Sequence, residues 1–219
     1  MTRIDIRTYA PTTPEAVQAL LSYLNATTKT LNGKEVIGET DQPTPNPEVL
    51  LQGLPQRSLS AARYDRESGL IAFTIKDRNE RFIEPEGFAI VRILTLFGPG
   101  LHIDKDQTGG NEHHYLEVFS DEGITLQRLL ADAKEGEMVK FIGDHHLLTA
   151  ANFTILRNHK AKRGRNEAVL AALAAYDKHA TEWGYEAVLN RADYEAMIRH
   201  AFRLYDLKYG REHLRVAAE

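Results

Sequence analysis

The sequence predicts an α+β protein: an antiparallel β barrel or sandwich set between a short N-terminal α/β segment and a C-terminal helical tail. Three observations carry that prediction. Between residues 58 and 157, five to seven short apolar stretches are separated by turn residues, the pattern of an all-β unit. Apolar residues at helical spacing recur near Pro14 and again after Asn166. Pro43, Pro45 and Pro47 interrupt the chain between the first helical segment and the β region. The expected organisation is therefore an N-terminal strand-helix-strand segment and linker over 1–47, a β domain over 48–160 and a helical tail over 161–219.

The elements follow in order. Ile4 and Ile6 alternate with charged neighbours, the pattern of a half-buried strand. Thr13 suits an N-cap, with Pro14 at the first helical position and Val17, Leu20, Leu21 and Leu24 along one face. Asn32-Gly33 signals a turn, and Glu35 to Gly38 a short extended piece. Ser60–Tyr64 and Leu70–Ile75, joined by a turn from Asp65 to Gly69, read as a hairpin. Phe88–Phe97 reads as the strongest strand of the chain, ending at Gly98-Pro99-Gly100. His114–Phe119 is another strand, Ile124–Ala131 fits either a strand or a helix, and Gly136–Ile142 and Asn152–Leu156 complete the set. In the tail, Asn166 can cap a helix ending near Trp183-Gly184. Asn190, with Asp193 three residues on, can cap a second that ends at Gly210. Tyr194, Phe202, Tyr205 and Tyr209 share a face of that second helix. They suit the surface that packs the tail onto the β domain, with self-association into a homo-oligomer as the alternative.

Composition narrows the function. Of 219 residues, 42 % are apolar and 26 % charged, enough to fill a core and too many apolar residues for a disordered chain. The net charge of −4 does not suit a chain that binds a polyanion as a whole. With no cysteine, there is no disulfide scaffold, thiolate nucleophile, cysteine-based zinc site or iron–sulfur cluster. The first residues hold no apolar run of the signal-peptide type. The longest apolar stretch, Phe88–Phe97, is broken by Arg92 and is far short of the roughly 18 residues of a membrane span. A cytoplasmic protein without a membrane partner is the expectation. There is no Gly-x-Ser-x-Gly motif, phosphate loop or dinucleotide fingerprint.

The informative feature is the distribution of histidine. Five of nine histidines (His102, His113, His114, His145 and His146) fall within 45 residues of the β region, beside Asp104, Asp106, Glu112, Glu117 and Asp144. Imidazole and carboxylate together form the donor set for a divalent metal: Fe(II) first, with Mn, Zn or Ni as alternatives. In one arrangement His102 and Asp104, two residues apart, share a strand face. His145 or His146 would then supply the third ligand of a two-histidine, one-carboxylate triad that leaves positions open for substrate and dioxygen. Arg157 could clamp the carboxylate of a cosubstrate with paired hydrogen bonds.

Residues 91 to 104, ending in His102-Ile103-Asp104, together with Gly136–Phe141, His145/His146 and Arg157, resemble the 2-oxoglutarate-dependent oxygenases. That resemblance implies a double-stranded β-helix with His102, Asp104 and His146 as catalytic metal ligands. It also implies 2-oxoglutarate as a cosubstrate on Arg157 and hydroxylation of a small molecule. A second arrangement resembles the cupins, which share that barrel. Asn111-Glu112-His113-His114-Tyr115-Leu116-Glu117, ending at Gly123, is similar to their first motif, and Gly143-Asp144-His145-His146, with Asn152 beyond, to their second. Asn111 stands where the first motif has a histidine. The cupin likeness therefore implies His113, Glu117 and His146 as ligands, and a dioxygenase, isomerase or lyase.

Two alternatives belong to other classes. Asp144-His145, Asn152 and Asn158-His159 resemble the metal-dependent nucleases of the His-Asn-His type. The basic stretch from Arg157 to Arg165 could contact nucleic acid, or form a solvated linker before the tail. A non-enzymatic binding or assembly protein would instead dock through its C-terminal helices and hold its histidines structurally.

Overall fold

The computed structural model describes residues 14–26, 29–31, 34–36, 46–54, 58–76, 79–96, 98–106, 113–118, 123–157, 164–183, 189–210 and 215–216. The expected strand at Ile4 and Ile6, the Thr13 cap, most of the proline linker, and the basic residues 158 to 163 lie outside them.

The first helix, α1 (Pro14–Ala26), starts at Pro14, whose missing N–H costs a helix nothing there. Its residues Val17, Leu20, Tyr23 and Leu24 are buried. Strands β1 (Lys29–Leu31) and β2 (Lys34–Val36) pair antiparallel, with Leu31 opposite Lys34. A 3₁₀ turn over Pro47–Leu51 follows, capped by the Asn46 side chain, which accepts from the Glu48 N–H at 3.0 Å. The expected hairpin is β3 (Leu59–Asp65) and β4 (Leu70–Ile75). Its turn is closed by Asp65, whose carboxylate accepts from Ser68 Oγ at 2.7 Å and from the Glu67 N–H at 3.1 Å. A short strand, β5 (Arg81–Ile83), extends this sheet.

Residues 88–97 are not a strand: they belong to helix α2 (Pro85–Leu96). Pro85 opens the helix and Glu86 places a negative charge in its first turn, where the aligned peptide dipoles favour it. Every residue of α2 is buried. A helix covered on all sides needs no polar face, so the period of 3.6 is erased and the residues read as a central strand. Two polar side chains inside it are satisfied by carbonyls. Arg92 donates to the Gln52 carbonyl at 2.6 Å, and Thr95 Oγ1 donates back to Val91 at 2.9 Å.

After α2 come β6 (Leu101–Asp106), β7 (His113–Val118) and β8 (Ile124–Thr125), which form an antiparallel sheet in the order β6-β7-β8. Residues 124–131 divide between the two expected states: β8 runs directly into α3 (Leu126–Leu130). Strand β9 (Glu137–Phe141) pairs antiparallel with β11 (Phe153–Arg157). Between them, β10 (Leu147–Leu148) joins β5 in parallel, and a 3₁₀ turn covers Ala150–Asn152. The tail holds α4 (Arg165–Trp183) and α5 (Arg191–Tyr209), and β12 (Arg215–Val216) returns to pair with β11. Asn190 caps α5 as expected, accepting from the Asp193 N–H at 2.9 Å.

The α+β class and the helical tail are therefore present, and the closed barrel is not. The described strands divide into four sheets of two, four, three and three strands, none of which closes. The physical reason is α2. A buried helix stands where the barrel needed a central strand, and it packs against β4, β6 and α5. Gly87 permits the close approach: a Cβ there would stand 2.8 Å from Ile83 and 3.2 Å from the Tyr205 ring. Tyr194, Phe202 and Tyr205 are buried within the chain, with Tyr194 Oη donating to the Ile93 carbonyl at 3.4 Å. That face packs the tail inward, and these three rings are not a self-association surface. One apolar core runs through α1, α2, the sheets, α4 and α5. Among the described residues no helix is long and apolar enough to cross a membrane.

Candidate functional site

The histidine-rich region converges on the β6–β7 hairpin. In its register Leu101 opposes Val118, His102 opposes Glu117, Ile103 opposes Leu116, Asp104 opposes Tyr115, and Asp106 opposes His113. Leu101, Leu116 and Val118 are fully buried and Ile103 packs against the core, so one face of the hairpin is committed to the interior. By strand alternation, positions 102, 104 and 106 share the opposite face with positions 113, 115 and 117. Two members of each ligand set expected from the sequence thus lie on one ladder, and His146, common to both sets, does not. His102 and Asp104 lie on β6 and His113 and Glu117 on β7, with Glu117 opposite His102 and His113 opposite Asp106.

One step from the Leu101 end of this ladder, His102 Nε2 lies 3.5 Å from Glu117 Oε2. Their side chains are 28 % and 14 % exposed, so the pair sits at the rim of the core. Gly123, at φ 59°, turns the chain beside the carboxylate: a Cβ there would lie 3.5 Å from Glu117 Oε2. The left-handed backbone favours glycine for its own reasons, and the missing side chain also leaves the carboxylate uncovered on that side.

His145, in the loop after β9, approaches the same face. Its ring is 4.8 Å from Phe141 and 6.2 Å from Tyr115, and Tyr115 and Phe141 are nearly parallel at 6.4 Å. Tyr115 is two positions from Glu117 on β7, so one aromatic ring separates His145 from the His102–Glu117 pair. His146 is anchored through its backbone. Its N–H donates to Asp144 Oδ1 at 2.8 Å, and its carbonyl accepts from the Phe82 N–H of β5 at 2.9 Å. Arg157 is exposed and pairs in register with Glu137, four steps along the β9–β11 ladder from the Phe153–Phe141 pair. That is roughly 13 Å of strand from the His145 end.

Two donors bound to one metal at about 2.1 Å each, at angles between octahedral and tetrahedral, stand about 3.0 to 3.4 Å apart. The His102–Glu117 separation of 3.5 Å lies just beyond that span, so the two donors would close slightly on a metal. Among the described residues no three His, Asp or Glu side chains form such a group. The near fit therefore covers two protein donors, and the ladder position beside them that could add a third is 104 on β6.

Sequence reasoning missed a second cluster, because it depends on α2 being a helix. Glu84 precedes α2 and is buried; its Oε1 accepts from the Ala150 N–H at 2.7 Å and its Oε2 from Tyr205 Oη at 3.5 Å. Burial pushes the Glu84 carboxyl up to about 7, although the Ala150 N–H opposes the shift. Glu86 accepts from Lys208 Nζ at 2.8 Å and from Tyr209 Oη at 3.1 Å. Burial, reinforced by nearby carboxylates, raises the hydroxyls of Tyr23, Tyr205 and Tyr209. The Glu84-Pro85-Glu86 run, an acidic helix start with proline in the first turn, was the available signal.

A cavity of about 520 Å³ lies elsewhere, between the turn at 132–135, the start of α4 and one face of α5. Arg165 forms part of its wall but is already committed. It forks onto Asp206 at 2.5 and 2.7 Å, donates to the Leu129 and Leu130 carbonyls at 2.5 and 3.0 Å, and lies over the Phe202 ring. The expectation that Arg165 serves as a solvated or phosphate-contacting residue is replaced by that of an internal anchor. Asn152, part of the nuclease-like pattern, is likewise committed to backbone groups of residues 143, 144 and 147. Comparison with known proteins found no matching family model, no matching curated protein and no matching solved structure.

Proposed function

We propose that this chain is a metal-dependent enzyme acting on a small molecule, with a divalent metal held on the outer face of the β6–β7 hairpin. His102 and Glu117 are its first two ligands, and Asp104, two positions from His102 on β6, is the candidate for the third. One observation carries the reading: the two donors come from the two independently recognised motifs and stand 3.5 Å apart in cross-strand register. Bound there, a divalent metal supplies Lewis acidity and open coordination positions for substrate. The chain's own contribution is orientation. The Tyr115, Phe141 and His145 rings form a partly buried wall beside the pair, able to hold an apolar part of the substrate and to exclude water on that side.

This reading keeps the donor chemistry of the double-stranded β-helix enzymes without a closed barrel. Two observations favour it over the alternatives. The buried aromatic face of α5 is taken up inside the chain, which weakens a docking role, and Arg165 and Asn152 are committed to internal partners, which weakens the nuclease reading. The deciding measurement is metal content by mass spectrometry of purified wild-type protein and of a His102→Ala/Glu117→Ala variant. We expect about one equivalent of a first-row divalent metal in the wild type and its loss in the variant. Equal content in the two would overturn the reading. Adding 2-oxoglutarate to the Fe(II)-loaded protein separates the two enzyme branches, since only chelation of the metal by the cosubstrate produces a visible charge-transfer band.

A further inference from the structure

The cavity of about 520 Å³ beside α5 belongs neither to the hairpin nor to the acidic start of α2, and its walls are fixed. Its floor is apolar, formed by Ala133, Val169 and Phe202. The turn at 132–135 is tied down on both sides. The Ala133 N–H donates to the Arg128 carbonyl at 3.1 Å, and the Lys134 N–H donates to Glu137 Oε2 at 2.7 Å. Asp132 holds a left-handed backbone there at φ 45°, a strained conformation of the kind that gathers at ligand clamps. Gly164 lets the start of α4 close on this turn: a Cβ there would stand 3.1 Å from the Ala133 carbonyl. A preformed hollow of this size, apolar at its base and polar at its edge, is the usual form of a small-molecule site.

The charges around it are sorted by depth. The half-buried carboxylates are satisfied in place: Asp206 by Arg165 at 2.5 and 2.7 Å, Asp132 by Lys134, and Glu167 by the Gly164 N–H at 2.9 Å. Beyond the Lys134–Asp132 pair, the exposed charges at the mouth are Arg199 and Arg203 against Glu135. The two arginines stand one turn apart on α5. Arg199 bonds to Glu195 on its own helix at 2.7 and 2.9 Å, with its side chain 53 % exposed. Such a pairing at the surface is weak enough for an incoming anion to replace it.

We propose that this cavity binds a small amphipathic anion, with its apolar body on Ala133, Val169 and Phe202 and its carboxylate or phosphate on Arg199 and Arg203. A guanidinium offers parallel N–H donors that match either oxyanion. The site is separate from the hairpin and needs no metal, so its test is independent of metal content.

Four probes are titrated into the full chain and followed by amide NMR: phenylacetate, phenyl phosphate, inorganic phosphate and benzyl alcohol. Saturable shifts at Ala133, Gly164 and Phe202 are expected with at least one aromatic anion, and the tighter of the two identifies the oxyanion. Inorganic phosphate lacks the body and benzyl alcohol lacks the charge, so each should bind about 10-fold more weakly or worse. Arg199→Gln/Arg203→Gln changes only exposed side chains and should weaken the aromatic anion about 10-fold or more. Arg191→Gln removes an exposed cation of the same helix outside the cavity and should leave binding unchanged. Absence of saturable shifts with both aromatic anions overturns the proposal. So does undiminished binding by the double variant, or an equal loss in Arg191→Gln, which would trace binding to net charge alone. Benzyl alcohol or inorganic phosphate binding as tightly as the aromatic anions overturns it too, because the arginines or the floor would then contribute nothing.

Discussion

Two regions of this molecule set carboxylates beside titratable partners, and they are built in opposite ways. At the start of α2, Glu84 and Glu86 are 7 % and 5 % exposed. Donors converge on them from the 3₁₀ turn at Ala150 and from Tyr205, Lys208 and Tyr209 of α5. On the β6–β7 hairpin, Glu117 and His102 form a pair at the edge of the core, with one side of the ladder turned outward. The first region holds the most strongly shifted carboxyl with a value near neutrality, yet its oxygens are occupied by groups of the fold itself. Burial alone displaces a carboxyl upward whether or not anything reacts there. Openness combined with matched donors is the better mark of a site here, and the contrast can be broken at several points.

The largest effect should come from the core side. Phe88 is fully buried in α2, with its ring 5.6 Å from Phe73. Phe88→Ala is expected to lose about 3 to 5 kcal/mol in urea denaturation, the transfer of a ring plus the cavity left behind. A loss below about 1 kcal/mol would mean that α2 is not the central packing element, and the division between the two regions would fall with it.

Next is pH. Because the folded state holds the Glu84 carboxyl near 7, above its ordinary value of 4.5, the folded chain keeps a proton that the unfolded chain releases. Glu84 therefore leaves stability intact below about pH 4.5 and lowers it as pH rises toward and through 7. The cost reaches at most about 3.5 kcal/mol above neutrality, at roughly 1.4 kcal/mol per pH unit of displacement. Glu84→Gln cannot ionise and retains an oxygen for the Ala150 N–H, so its stability should fall less than that of the wild type between pH 5 and pH 8. Parallel curves for the two proteins would show that Glu84 is solvated, and the contrast with the hairpin would lose its main term.

Legibility followed the same division. The β3–β4 hairpin and its Asp65–Gly69 turn, the Asn190 cap and the inward face of α5 were readable because each depends on residues close in sequence. So were His102 and Asp104 on one strand and Glu117 on another. What could not be read was that these strands face each other, since register depends on the connection through 107–112 and on which apolar set enters the core. Helix α2 was misread for a related reason. With Ile90, Val91, Ile93 and Thr95 in a run without polar relief, local pattern favoured a strand, and only tertiary burial on every side made a helix the solution. Asn152 was visible as a motif residue, but its role lies in three backbone bonds that no side-chain pattern encodes.

The smallest expected change in stability is on the hairpin, and it is the most discriminating. His102→Ala removes a partly exposed imidazole whose cross-strand partner remains within reach of solvent. The cost should be below about 1 kcal/mol, as for other ion pairs at a surface rim, while bound metal is lost. If His102 instead held the sheet together, its removal would leave the 14 % exposed Glu117 carboxylate poorly compensated. The penalty would then rise beyond about 2 kcal/mol, toward that of a broken buried pair. Urea denaturation of metal-free wild type and variant separates these cases. A small loss there, with metal content abolished in the unstripped protein, is the signature of a ligand. A large loss would make the hairpin a second structural cluster like the one at α2, and no region of the described chain would then stand out as its catalytic site.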